Sequence, residues 1–373
     1  MKAIIVGGGI MGLATAWGFA RDGHHVALFE QGPLPNPLSS SMDEHRLIRY
    51  PYGDHAGYAR MIDEAYAAWD LLWRDLGQTL YAATGTLALQ GNGADWAECS
   101  ATTLASLGKP MAELGPADLE RRFPLLDAKG IDRAFWLDSG GELFARDIVT
   151  ALVRHLQGQP RVRLHANMSI RSVDLETAEV IAEDGARHTG DVVVVSAGAW
   201  STRLIPSLSG RLFPSRQVVI YFDLPQDQRT AWDSAPMIIE KTGDLGLYLV
   251  PPRQGRGLKV GDHEFSRQGD PAAPRDASAE EIRPLLDRCA RLLRGFERWR
   301  IARLKVCFYT VTDDERFVVE KSGSRGWVMS PCSGHGFKFG AVMGLELSRT
   351  IGAGRDPVAH ASWAAGRMGD SGD

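Results

Sequence analysis

An α/β fold, with a Rossmann-like nucleotide-binding domain and a second domain built on a mainly antiparallel sheet, is what this sequence predicts, and three observations predict it. A β-branched run over Lys2–Val6 leads through Gly7-Gly8-Gly9-Ile10-Met11-Gly12 into a helix-like segment at residues 13–20, and a second apolar run at residues 26–29 ends in Glu30. That is one β-α-β unit of the expected ~30 residues. The four valines Val192–Val195 run into Ser196-Ala197-Gly198-Ala199-Trp200, the pattern of a parallel strand ending in a tight turn. Residues 218–222 and Leu247–Val250 are β-branched and aromatic runs that read as strands of a second sheet.

The elements follow in order. Gly7-x-Gly9-x-x-Gly12 lets the backbone turn tightly and approach a pyrophosphate, whose charge then rests at the N-terminus of the following helix. Glu30, at the end of the second strand, is placed to accept from ribose hydroxyls. The turn by itself does not separate FAD from NAD. Further on, Tyr58, Met61, Ile62, Ala65, Trp69, Leu72, Trp73 and Leu76 recur at helical spacing, with Gly77 placed to stop the helix. Residues 251–276, dense in Pro, Gly and Arg, read as an excursion over the surface. Ile282, Leu285, Leu286, Cys289, Leu292 and Leu293 predict an amphipathic helix, with Pro284 in its first turns or at a kink. Residues 340–351 read as the last helix, and the chain after about Trp363 reads as loose.

A chain of 373 residues is too long for one ordinary core, which predicts two domains or one domain with a large insertion. A formal net charge of -4, well mixed along the chain, leaves no basic field for nucleic acid. Any anionic ligand must therefore be met by local cations. The cysteines Cys99, Cys289, Cys307 and Cys332 have no C-x-x-C spacing and no companion histidine pattern, so neither a metal site nor a disulfide framework is expected, and a reducing cytoplasm fits. The first apolar run is broken by glycines and lacks a small-residue cleavage site, unlike a signal peptide. No stretch approaches the ~20 apolar residues of a membrane span.

Four segments carry chemistry. Arg46-Leu47-Ile48-Arg49 follows Ser39-Ser40-Ser41, and Gly257-Leu258-Lys259-Val260-Gly261-Asp262-His263 offers a lysine and a histidine. Lys305-Val306-Cys307-Phe308-Tyr309-Thr310 holds a cysteine in a β-like run, and Ser333-Gly334-His335-Gly336-Phe337-Lys338 brings backbone amides and one ammonium toward an anion. Singly, each has an ordinary reading: surface arginines, a loop lysine, a buried cysteine, a tight turn. Together they resemble the monomeric sarcosine oxidase and N-methyltryptophan oxidase branch of the FAD-dependent amino acid oxidases. The pattern S-S-x-x-x-x-R-x-I-R-x-x-Y-G is present as Ser40, Ser41, Arg46, Ile48, Arg49, Tyr52 and Gly53. C-x-Y-T-x-T-x-D-E-x-F is present as Cys307, Tyr309, Thr310, Thr312, Asp314, Glu315 and Phe317, and S-G-H-G-F-K runs from Ser333 to Lys338.

The resemblance spans nearly the whole chain and implies a glutathione reductase-like fold of the D-amino acid oxidase type. It divides the chain into an FAD-binding domain from residues 1–85, 141–212 and 305–373 and a substrate domain from residues 86–140 and 213–304. It implies FAD held by Gly7, Gly9, Ile10, Met11, Gly12, Glu30, Ser40, Ser41, Arg46, Gly198, Gly334, Gly336 and Lys338, and bonded through the sulfur of Cys307. Arg46 is expected beside the flavin ring, Arg49 and Lys338 on the substrate carboxylate, and Lys259 at the flavin, activating oxygen. His263, Tyr248 and Tyr309 are expected to line the cavity, and His335 to pack near the flavin. The implied reaction is oxidation of a secondary N-alkyl amino acid such as sarcosine to an imine, with dioxygen reduced to hydrogen peroxide, by a cytoplasmic monomer. Its partners are then a small amino acid and oxygen, with neither nucleic acid nor membrane. Two departures stand out: Met42 where the family often has histidine, and Asp262 where an aromatic is familiar. Oxidation of an iminodiacetate-like diacid, a cyclic imino acid or a D-amino acid, a nicotinamide dehydrogenase, and a non-catalytic flavin scaffold are the competing readings.

Overall fold

The computed structural model describes residues 1–91, 93–242 and 246–367. Six strands form one sheet in the order Val318–Ser322, Gly326–Ser330, Val192–Val195, Lys2–Val6, His25–Phe29 and Val162–His165. All its junctions are parallel except the one between Val318–Ser322 and Gly326–Ser330. Ala3, Ile5, Val26, Leu28, Val192 and Val194 face a core built with the helices Ile10–Arg21, Ala56–Leu76 and Gly340–Ala353. Ile4, Val6, Ala27, Phe29 and Val193 face the other way, onto a small antiparallel sheet of Ile170–Asp174, Glu179–Ala182 and Arg187–Thr189. With both faces covered, these strands have no polar side to show, which is why they read as unbroken apolar runs.

The predicted helical stripe lies in Ala56–Leu76, where Tyr58, Met61, Ile62, Ala65, Trp69, Leu72 and Trp73 are buried. Gly77 ends the helix in the left-handed region at φ 68°, a conformation that a side chain would disfavour. Helix Ala279–Leu292 begins at a capping box between Ser278 and Glu281 and carries Pro284 in its second turn. Residues 340–351 are helical as expected, within Gly340–Ala353, but are not the last helix: Pro357–Ala364 follows, started by Pro357 and the Asp356 cap, and runs past Trp363, and of the tail expected to be loose, residues 368–373 lie outside the described residues.

A second sheet has eight strands, in the order Arg300–Val311, Phe213–Asp223, Leu258–Asp262, Leu247–Val250, Met237–Thr242, Thr86–Gly91, Arg133–Leu137 and Ala112–Leu114. It is antiparallel except where Met237–Thr242 pairs with Thr86–Gly91. Here the expectation for residues 251–276 is corrected: Leu258–Asp262 is an interior strand with Leu258, Lys259 and Val260 buried. Only its flanks are irregular. Lys259 therefore projects from a rigid strand, not from a surface loop. A further three-stranded sheet places Gly141–Leu143 between Arg46–Ile48 and Tyr81–Ala83, fixing the segment from which Arg46 and Arg49 emerge. Among the described residues, no helix is long and apolar enough to cross a membrane.

Candidate active site

Two adjoining cavities lie between the parallel sheet and the eight-stranded one. The first, of about 390 Å³, opens at the C-terminal ends of the parallel strands, around Val6, Phe29, Ser196 and Ser330. Strand ends of this kind are where open α/β sheets receive ligands. Gly7, Gly9, Ile10, Met11, Glu30, Ser40, Ser41, Arg46, Gly198, Gly334 and Gly336 all line it. Gly7 has φ +111°, and a Cβ on Gly12 would stand 1.9 Å from the Gly7 carbonyl oxygen. Gly12 is thus beneath the turn rather than in the cavity wall, and its lack of a side chain lets helix and strand close on each other. The Ile10 amide donates to Ser41 Oγ at 2.9 Å, tying the serine segment to the start of the helix. Glu30 accepts from the Gly8 amide at 2.7 Å, the Gly32 amide at 3.0 Å and Asn36 Nδ2 at 2.7 Å, which fixes its carboxylate at the cavity edge.

The second cavity, of about 150 Å³, is lined by Arg49, Tyr248, Lys259, His263, Tyr309 and Lys338. Arg46, Tyr309, Gly334 and Phe337 belong to both cavities, which therefore meet. Arg49 is buried, with its guanidinium 4.5 Å above the Tyr52 ring and 5.4 Å from that of Trp96, and its NH1 has no hydrogen-bond partner. Lys338, 4% exposed, donates from Nζ to the Tyr52 hydroxyl at 3.0 Å, while its carbonyl accepts from Trp69 Nε1 at 2.7 Å. Among the described residues, neither cation has a carboxylate within ion-pair distance. Burial pulls the Lys338 ammonium well below its usual range, and Arg49 beside it adds to the shift. Burial also lowers Arg49, against the opposing pull of Tyr52 and Glu315. Two desolvated, unpaired cations facing one space amount to a receptor for a small anion.

His263 is half-buried, its Nε2 out of contact with solvent and unpartnered among the described residues, and desolvation together with Lys241, Arg49 and Lys338 holds it far below the usual histidine range, so its imidazole is neutral. His335 is different, because both of its nitrogens are engaged. Nε2 lies 3.1 Å from the Glu315 carbonyl oxygen, which can only accept, so Nδ1 accepts from the Tyr52 hydroxyl at 3.2 Å. The ring also stacks on Phe317 at 4.4 Å, as a packing residue does.

Lys259 is 1% exposed and donates to Asp43 Oδ2 at 2.6 Å and to the His45 carbonyl at 3.2 Å. Cys307 is buried on the same strand face as Tyr309 and lines neither cavity, although Phe308, Tyr309 and Thr310 line the first. Burial pushes its thiol up, while Arg46, Lys259 and Lys305 pull it down. Cys332, for which the sequence suggested no role, lines the first cavity. Asp43, Trp96 and Lys241 were not singled out by the sequence either. Trp96 and Lys241 line the second cavity.

The family model described as FAD dependent oxidoreductase, DAO, matches residues 2–350. The chain belongs to this DAO family. Among curated proteins, this DAO-family chain is 25% identical over 366 residues to monomeric sarcosine oxidase of Bacillus sp. (strain B-0618), covering 94% of this chain and 92% of that one. It is 24% identical over 355 residues to N-methyl-L-tryptophan oxidase of Yersinia pestis (strain Pestoides F), covering 91% and 92%. Among solved structures, L-proline dehydrogenase from P. horikoshii superposes with a TM-score of 0.81 at 18% identity, covering 98% of this chain and 97% of that one. That likeness is one of fold.

The first cavity of this DAO-family protein fits a dinucleotide. The Gly7 turn, the N-terminus of helix Ile10–Arg21, the anchored Glu30 and the Ser40-Ser41 segment stand along one wall, and Gly198, Gly334 and Gly336 stand elsewhere in its lining. A dinucleotide needs close backbone approach, a positive helix end and a ribose acceptor, and all are present.

Proposed function

We propose that the chain oxidises a secondary N-alkyl amino acid, of which sarcosine is the simplest, to an imine, and that dioxygen takes the electrons and becomes hydrogen peroxide. One observation carries the reading: Arg49 and Lys338, buried and without acid partners among the described residues, face a small cavity that adjoins the dinucleotide cavity. FAD, when bound, accepts the hydride. The chain's own residues do the rest. Arg49 offers a planar fork to the substrate carboxylate and Lys338 a point charge. Neutral His263 stands near them and favours an uncharged amine, the form that gives up hydride. Tyr248 and Tyr309 wall the cavity so that position, more than a strong base, supplies the rate. Lys259 serves the oxygen half-reaction as a fixed cation. The sarcosine and N-methyltryptophan oxidases among the relatives support this substrate class. We assign residues 1–85, 141–212 and 305–373 to cofactor binding and 86–140 and 213–304 to the substrate side, and take the enzyme to be a cytoplasmic monomer.

An anaerobic screen tests the reaction. N-methyl, cyclic and dicarboxylic amino acids are mixed with the flavin-loaded protein, and an N-methyl amino acid is expected to bleach the flavin fastest. If no carboxylate-bearing amine bleaches it, the assignment fails.

We also propose that FAD is bonded to Cys307. Acid precipitation of fully loaded protein is then expected to leave the flavin in the pellet. Cys307→Ser should release it to the supernatant, whereas Cys332→Ser should not. Retention by Cys307→Ser and release by Cys332→Ser would move the bond to Cys332, and release from the unaltered protein would exclude a covalent bond.

A further inference from the structure

Asp43 is set among the cations Lys259 and Arg46 near the meeting of the two cavities, and neither the binding nor the oxidation of the amine uses it. Its carboxylate is buried, with a side chain 1% exposed. Oδ2 takes a hydrogen bond from Lys259 Nζ at 2.6 Å and a contact from Arg46 NH1, and Oδ1 takes the Tyr221 hydroxyl and, at 3.0 Å, the Glu44 amide. Lys305 stands close by, its ammonium on the Met42 carbonyl, whereas neighbouring Glu44 turns away to Arg303. Lys259 and Arg46 therefore share the Asp43 carboxylate, with Lys305 close by, and Lys259 is the one that Asp43 grips in a fully buried ion pair.

We propose that Asp43 is a positioning residue that restrains the oxygen half-reaction: held by Tyr221 and Arg46, its carboxylate cancels much of the positive field of Lys259. This rests on the reading of Lys259 as the cation that assists oxygen. Reduced flavin carries two electrons and one proton from the amine, and with one more proton from solvent it converts one dioxygen to one hydrogen peroxide and returns to the oxidised form. Negative charge arrives on dioxygen with the first electron. A lone ammonium nearby stabilises that charge, whereas an ammonium paired at 2.6 Å presents a dipole, whose attraction falls off much faster with distance. Asp43 thus holds the lysine in place and at the same time limits what it contributes.

The test uses flavin-loaded wild type, Asp43→Asn, Lys259→Met and the double variant. Each is reduced chemically without oxygen and mixed with oxygenated buffer in a stopped-flow instrument, and separately the oxidised form is titrated with sulfite, which adds to flavin more tightly as local positive charge grows. Asp43→Asn is expected to reoxidise about tenfold faster than wild type and to bind sulfite about tenfold more tightly. Lys259→Met should reoxidise slowly, and the double variant should match it, because Asp43 acts through Lys259. An Asp43→Asn variant that reoxidises no faster than wild type, or whose sulfite affinity does not rise, overturns the proposal. So does a double variant that remains faster than Lys259→Met. If Lys259→Met itself reoxidises like wild type, the oxygen role of Lys259 falls and this proposal with it, while the amine-oxidation reading still stands on anaerobic bleaching. Should Asp43→Asn load flavin poorly, Asp43→Ser, which leaves room for a water against Lys259, is read in the same way.

Discussion

Arg49→Ala is expected to lower catalytic efficiency on an N-alkyl amino acid by about 30- to several-thousand-fold, while leaving oxidation of the decarboxylated amine nearly unchanged. The size follows from what is removed. A charge-assisted contact in a desolvated cavity is worth about 2 to 5 kcal/mol when one partner is deleted, because the other charge is left buried. Arg49 is 9% exposed and unpaired among the described residues, so little solvent screening is available to soften the loss. Its ring neighbours, Tyr52 and Trp96, pack against the guanidinium, and NH1 has no hydrogen-bond partner among the described residues. Arg49→Lys is expected to behave closer to alanine than to wild type, since an ammonium can neither form the fork nor stack in the same way. Both substrates are measured on both enzymes. If wild type and Arg49→Ala discriminate equally between the acid and its decarboxylated analogue, the carboxylate is bound elsewhere and the chain oxidises simple amines.

The second large effect is on stability. Glu142 is 0% exposed, and neither of its carboxyl oxygens has a hydrogen-bond partner. Its Cα is paired with that of Leu47, between the two arginines of the site segment, so the two side chains share one face of the small sheet. Burial raises the Glu142 carboxyl from 4.5 to about 8, against the opposing pull of Arg253 and Arg256. Over that window the folded protein holds a proton that the unfolded chain has lost. Stability due to this group is therefore fully present below about pH 4.5 and declines as pH rises toward 8. Glu142→Gln keeps the shape and removes the titration. The variant should match wild type near pH 5 and exceed it at pH 8 by about 2 to 4 kcal/mol, a gap read from denaturant midpoints. Other groups titrate equally in both proteins and cancel in the difference. A gap that does not change with pH would mean that Glu142 is ionised in the fold.

The sequence made some of this legible for plain reasons. The β-α-β unit, the Gly7 to Gly12 turn and the stripe from Tyr58 to Trp73 are local, and local periodicity reports them. The strand Leu258–Asp262 was hidden because an interior strand buried on both faces lacks alternation, and its Pro- and Gly-rich flanks dominated the composition. Asp43 was invisible for another reason. It is one acid in an irregular segment, and its partners Tyr221 and Lys259 lie 178 and 216 residues away. Glu142 sits in a strand of three residues, too short to show any pattern. Arg49 and Lys338 were found through motif resemblance, not spacing. What the structure added is that they lack acid partners among the described residues.

The first cavity draws its walls from the ends of strands Lys2–Val6, Val192–Val195 and Gly326–Ser330, neighbours in the sheet but spread along almost the entire chain. Translation delivers them at roughly 5 to 20 residues per second, so the glycine turn emerges many seconds before Gly334 and Gly336 do. Until Gly326–Ser330 arrives, Val192–Val195 stands as an unpaired apolar edge, the kind of surface to which chaperones bind. Cofactor cannot rescue that interval, since its cradle does not yet exist. FAD supply is therefore expected to act on the finished polypeptide, so flavin-depleted cells should accumulate full-length apoprotein, which an immunoblot of their lysate would check.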